Sequence, residues 1–296
     1  MTVAITRVTL LSPLGWYPSR DIATSFGRFV IDQDIAFVVT PCGADPHRGD
    51  ADRCSEVEFL TVEEIRFLGC LTVACPELSG ILRVYPIPGH IDLTLDLMAP
   101  RTMFLEAARR RARTVHADWY AAGLVFGPSV GGPAYSRKDD GLDPEVVERL
   151  CGQVDVSNHI LIRGLGALIR ADMLSARQEF QEPATVMLHI SLAATQEMIF
   201  DLLRRNGNLN PSSRDASECL ALAFGEIPRG DNYFEDFYED RNIIIHPRSR
   251  RGAFSYPPLA FDDFYDLRPG VIAVLVWLIT GEPPLPAEAL NLRLGP

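Results

Sequence analysis

Arg241 and His246 bracket the run Asn242-Ile243-Ile244-Ile245, and Pro247 follows at once. An arginine keeps its charge at any working pH, while a histidine exchanges its proton near neutrality. Together they are the minimum equipment for cutting RNA without a metal. The imidazole takes the proton from a ribose 2′-hydroxyl or gives one to the leaving oxygen. The guanidinium offsets the charge that grows on the phosphate oxygens. The 2′-hydroxyl is itself the nucleophile, so the chemistry calls for neither a nucleophilic side chain nor a metal.

The surrounding residues predict how the two side chains are held. The stretch GDNYFEDFYEDRNIII has aromatic residues at 233, 234, 237 and 238, which is helical spacing. A residue before proline is pushed out of helical geometry, so that helix should end at or just before His246. Inside a regular helix, positions five apart diverge by roughly 140°. At a helix exit the constraint lapses, and the imidazole can fold back toward the guanidinium. A helix C-terminus also favours a cationic imidazole. Arg248, Arg250 and Arg251 form a basic turn directly afterwards, suited either to phosphate contact or to plain exposure. The bland alternative for Arg241 and His246 is a surface arginine with a histidine capping helix carbonyls. Glu235, Asp236, Glu239 and Asp240 read as the wet face of the helix, with a Mg²⁺-holding nuclease site as the rival.

The elements that must position the motif are helical. A segment opening at Asp143, with Pro144 in the first turn, runs through HILIRGLGALIRADML. EPATVMLHISLAATQEMIFDLLRRNG ends on Gly207, a C-cap signal, and NPSSRDASECLALAFG ends on Gly225. LAFDDFYDLRPGVIAVLVWLITG closes the set. Four or five such helices with short loops predict a bundle over residues 143–296. His159 and His189 sit among its apolar residues and read as packing residues. Residues 1–126 have another texture: short β-branched and aromatic segments (TRVTLL, RFVIDQDIAFVVT, EVEFLTV, GILRVYPI, HIDLTLDLM), the last two closing around Pro88-Gly89. One Ala-, Leu- and Arg-rich segment, 99–126, breaks that pattern, and its EAARRRAR cluster reads as a solvated helix face. The first half is therefore expected to be an α+β domain. Residues 127–142, rich in Gly and Pro, are expected to link it to the bundle.

Arg, a polar residue, three more residues and then His at the end of a bundle helix resembles the R-x4-6-H motif of HEPN-domain ribonucleases. The likeness covers roughly residues 143–282, and nothing in 1–125 takes part in it. It implies catalytic roles for Arg241, His246 and Asn242. It implies one also for Glu197, which stands on a helix similar to an earlier, acidic helix of the family, although a solvated or ion-paired Glu197 is the plain reading. It further implies a homodimer through the C-terminal bundle with two motifs facing each other, and a role in phage defence or a toxin system. RNA, tRNA among the candidates, is then the substrate, and an antitoxin or regulatory partner accompanies such a role. The first half would recognise substrate or restrain the nuclease. The alternative is a non-catalytic HEPN-like module that binds a protein or nucleotide partner.

Composition sets the outer bounds. The 296 residues are 47% hydrophobic and 23% charged, as expected of a folded globular chain, and the net charge is −11. Adhesion to nucleic acid or anionic membrane by bulk charge is therefore not the expectation, and any RNA contact needs a local basic patch. Six cysteines without a CxxC pair, and histidines without metal spacing, predict free thiols, no metal and no cofactor. The N-terminal residues lack the basic region of a signal peptide, and the longest apolar run, 271–279, is about half a membrane span. The expectation is a cytoplasmic protein with no membrane segment. The run at 271–279 is apolar on nearly every side, which predicts that a partner subunit covers part of it.

Overall fold

The computed structural model describes residues 5–12, 19–32, 35–42, 60–75, 83–84, 90–121, 142–175, 180–224, 233–235 and 261–282. The chain divides into two units, Met1–Gly152 and Gln153–Pro296. The first is an antiparallel sheet with helices, and the second is helical, so the α+β-then-helical class holds.

In the first unit, β1 (Thr6–Ser12), β2 (Arg20–Ala23), β3 (Arg28–Asp32) and β4 (Ile35–Pro41) pair in the order β2-β3-β4-β1. The far side of β1 takes β5 (Arg83–Val84) near one end and β6 (His90–Leu93) near the other. Both run antiparallel to β1, so they share one edge and do not pair with each other. The hairpin expected around Pro88-Gly89 is therefore replaced by two short strands along β1. The apolar stretch 28–40 likewise resolves into two strands, β3 and β4.

Residues opposite one another in register share a face of the sheet. One face carries Val8, Leu10, Val30, Phe37 and Val39, and these pack with Phe104 and Ala108 of α2 (Arg101–Ala121). The other face carries the buried Phe29, Ile31 and Val38 and takes α1 (Val62–Ala74). Coverage on both faces explains why β4 is buried along nearly its whole length rather than on alternate residues. Where the sequence predicted a strand in EVEFLTV, helix α1 begins at its end. Thr61 caps it: its Oγ1 accepts from the Glu64 N–H at 3.2 Å, and Glu64 Oε2 accepts from the Thr61 N–H at 2.7 Å. This reciprocal pair satisfies two donors that a helix start otherwise leaves open.

Helix α3 (Pro144–Gln153) was expected to open the helical bundle, but it belongs to the first unit. Asp143 caps it as predicted, accepting from the Glu145 N–H at 2.9 Å. Glu148 accepts from the Ser25 N–H at 2.8 Å and from the Ser25 hydroxyl. The Phe26 ring lies beneath the Arg66 guanidinium of α1 at 4.6 Å, and Gly152 stands beside that ring. The thiols of Cys151 and Cys70 meet between α3 and α1. That bond, with burial, holds the Cys70 pKa well above the ordinary thiol range. The boundary thus falls after α3 rather than before it. Of the expected linker 127–142, only Leu142 is among the described residues, and it is buried.

The helical unit contains α4 (His159–Ser175), α5 (Gln181–Arg205), α6 (Ser213–Phe224) and α7 (Phe261–Thr280). α4 starts after a break in which Asp155 accepts from the Ser157 N–H and hydroxyl, and Asn158 Oδ1 caps the Leu161 N–H at 3.1 Å. α5 touches α4, α6 and α7. By length and composition alone α5 could cross a membrane. Here it is the shared wall of the bundle, burying Leu188, His189, Leu192, Thr195 and Ile199. α4 and α5 approach closely because Gly164 has no side chain. A Cβ there would stand 3.1 Å from that of Ala194, and the Gly164 carbonyl accepts from the Ser191 hydroxyl at 2.9 Å. On α7, Val271, Ile272, Val274 and Leu275 are buried within one chain, and Val276 and Leu278 are half-buried. The apolar surface that called for a partner subunit is largely covered without one.

Candidate functional site

Arg241, Asn242 and His246, with Arg248, Arg250 and Arg251, lie outside the described residues, as do Asp236, Glu239 and Asp240. What is described is the anchorage at each side of them. Tyr233, Phe234 and Glu235 form a helical turn. Tyr233 and Phe234 are buried, and their rings meet edge to face at 5.2 Å. The Phe234 N–H donates to Ser217 Oγ of α6 at 3.3 Å, and the Tyr233 hydroxyl lies where a side chain on Gly270 of α7 would start. The chain thus enters the motif segment from a seat between α6 and α7, and it is helical again from Phe261.

Glu197 is the one proposed catalytic residue that is described. It sits on the outer side of α5, with its side chain 45% exposed and bonded to Arg204 at 2.9 Å. Arg204 also reaches Asp201 at 2.7 Å and lies 5.7 Å from the Phe200 ring centre. An exposed carboxylate in such a network is the ion-paired arrangement that the plain reading anticipated.

Two polar clusters were not singled out from the sequence. In the helical unit, Arg268 of α7 donates twice to Asp172 of α4, at 2.6 and 2.8 Å, in a buried bidentate pair. Nearby, the Tyr265 phenol is pushed above its ordinary pKa chiefly by burial. Each charge of the pair is consumed by the other, so the cluster fastens α4 to α7 rather than offering a reactive group. The signal for it was a lone carboxylate in ALIRADML and a lone guanidinium in YDLRPGVI, each inside an apolar helix.

In the sheet unit, a second cluster lies on the α1 face. Glu64 is buried, with one oxygen on the Thr9 hydroxyl and the other on the Thr61 N–H. Beside it Arg7 bonds Asp92 at 2.9 Å, and His90 follows on the same strand face. Burial and then the Arg7 charge hold the His90 pKa below the ordinary histidine range, against the opposite pull of Asp92 and Glu64. Its imidazole is therefore neutral at neutral pH. The two oxygens of Glu64 are both engaged, which leaves the carboxylate to bind α1 to the sheet. Among the described residues, no three His, Cys, Asp or Glu side chains group as a metal site would require. Their cysteines are free thiols.

No family model matches the chain, and neither the curated proteins nor the solved structures contain a match to it.

Proposed function

We propose that this chain is a metal-independent endoribonuclease of HEPN type, with His246 as the proton-transfer group and Arg241 as the phosphate clamp. The observation that carries the reading is the sequence Arg241-Asn242-Ile243-Ile244-Ile245-His246-Pro247, set between two helical segments of a helical unit. Supporting it is the seat of Tyr233 and Phe234 against α6 and α7, which fixes the start of the segment that carries the motif. Asn242 follows Arg241 in the chain, and Arg248, Arg250 and Arg251 supply the local positive charge that an acidic chain needs to hold RNA. A single motif offers one imidazole, so acid and base in one turnover are filled more readily by two chains. The dimer now rests on that argument and on the family resemblance, since α7 is largely covered within one chain.

The test uses purified protein on a structured RNA such as tRNA. His246→Ala should lower cleavage by about 10²–10⁴-fold while the fold stays intact. Cleavage should survive EDTA and leave a 2′,3′-cyclic phosphate. A His246→Ala protein cutting at the parental rate ends the assignment, and activity restored only by Mg²⁺ moves it to carboxylates.

A non-catalytic binding module is the second reading, and the pairing of Glu197 with Arg204 favours it, because that carboxylate is already engaged. Expression that slows growth, relieved by His246→Ala, speaks for the nuclease. Growth unaffected by either form speaks for the module.

A further inference from the structure

The basic cluster on α2 divides into two sets with different tasks. Arg101 and Arg109 turn toward the sheet and share Asp32 of β3, at 3.1 and 3.0 Å. Ala107 and Ala108 between them are buried against the sheet. Arg110 and Arg113 turn the other way. Both are exposed, and among the described residues neither guanidinium has an acidic partner.

Their spacing puts them together. Three residues apart on a helix means about 60° around the axis and one turn along it, so the two side chains are neighbours. Thr102, Met103, Glu106 and Thr114 are exposed on the same stripe. Glu106, one turn before Arg110, is its one carboxylate, and it forms no ion pair with either arginine. The stripe is thus a short positive strip on a chain whose net charge is −11. It lies opposite the face of α2 that packs on the sheet.

We infer that the outward face of α2, through Arg110 and Arg113, is a contact surface for the phosphate backbone of RNA. This rests on the ribonuclease reading above and gives the sheet unit a part in it: holding substrate whose cleavage is carried out in the other unit. Two guanidiniums one turn apart suit successive phosphates of one strand, which they grip through charge and forked hydrogen bonds without reading bases. An acidic protein with such a strip binds RNA where the strip lies rather than over its whole surface.

The experiment measures binding of full-length protein to a fluorescent tRNA by anisotropy across a salt series, in the His246→Ala background so that the RNA stays whole. Each lost phosphate contact flattens the slope of log K against log salt by roughly 0.7–0.9. Arg110→Gln/Arg113→Gln should therefore bind more weakly with a slope shallower by about 1.4–1.8, while Arg110→Lys/Arg113→Lys keeps the parental slope. An unchanged slope in the Gln pair overturns the inference, as does a parent that does not bind. Binding of anionic vesicles in place of RNA overturns it too. The ribonuclease reading is judged separately on the protein with His246 intact. If cleavage occurs but the Gln pair binds like the parent, only the α2 surface falls. If the Gln pair loses binding and nothing is cleaved, only the nuclease falls.

Discussion

In the sheet unit, charged side chains meet near the surface, whereas in the helical unit an arginine and an aspartate meet inside. Arg7 with Asp92, Arg28 with Asp21, and Asp32 with Arg101 and Arg109 have side chains between 12% and 41% exposed. Each joins separate elements: β1 to β6, β3 to β2, β3 to α2. Arg268 and Asp172, joining α7 to α4, are only 10% and 1% exposed. Exposed pairs contribute about 0–1 kcal/mol each, so those in the sheet unit act chiefly on register and orientation. A buried pair adds little against well-packed apolar residues, yet breaking it strands a charge in the interior. Among the described ion pairs, the helical unit therefore depends on a buried one and the sheet unit does not.

The sharpest break of this contrast is Arg268→Ala. It leaves the Asp172 carboxylate buried without its partner and should cost about 3–5 kcal/mol in denaturant unfolding. Arg7→Ala should cost about 0–1 kcal/mol. A double change, Asp172→Leu with Arg268→Met, should recover most of the loss, because no charge then remains inside. Similar losses for the two alanine variants would erase the distinction between rim and core.

Close glycine contacts sharpen the same comparison with a smaller effect. A Cβ on Gly27 would stand 2.6–2.8 Å from three atoms of the Phe67 ring, including Cγ at its root, and Phe67 is fully buried between sheet and α1. A Cβ on Gly270 would meet the Tyr233 hydroxyl at 2.6 Å, the far end of a longer side chain. Gly27→Ala should cost about 1–3 kcal/mol, as overpacking does where nothing can yield. Gly270→Ala should cost less, since the phenol can swing. Equal costs in thermal unfolding would show that the Tyr233 seat is as rigid as the sheet.

The helical unit was more legible in the sequence than the sheet unit, and the residues say why. Helix signals are local: positive φ at Gly207 and Gly281 marks the ends of α5 and α7. Sheet pairing is not local. Nothing near His90 or Arg83 announces that both segments lie along β1 some eighty residues earlier. α1 was missed although Thr61 and Glu64 spell a capping box, because EVEFLTV reads as a β-branched run just before it. α3 was seen but given to the wrong unit, since Glu148, Cys151 and Gly152 show their partners (Ser25, Cys70, Phe26) only in three dimensions. Of the candidate site, the order Arg241 to His246 is legible, and the positions of those side chains lie outside the described residues.

Thr61→Ala asks how far α1, the element the sequence hid, depends on its start. The substitution removes the acceptor of the Glu64 N–H, while the Glu64 carboxylate can still bind the Thr61 N–H and the Thr9 hydroxyl. A lost helix cap costs typically about 1 kcal/mol. A change well above 2 kcal/mol in chemical denaturation would mean that Thr61 also orients Glu64 against the sheet.

The smallest expected effect is a pH dependence specific to the sheet unit. His90 faces Arg7, Arg111, Asp92 and Glu64, and burial with the Arg7 charge lowers its folded pKa. In the unfolded chain a histidine titrates near 6.5. Between the lowered folded value and about 6.5, the unfolded chain therefore binds the proton more readily than the folded one. Stability from this group is complete above that window and falls as pH drops through it, because protonation places a third positive charge beside Arg7 and Arg111. His90→Gln keeps a polar side chain but cannot titrate. The parent should lose stability relative to His90→Gln as pH is lowered from about 7 toward 5, and the two curves should run parallel above 7. Parallel curves over the whole range would mean that Asp92 and Glu64 cancel the pull of Arg7 and burial, leaving His90 indifferent to pH.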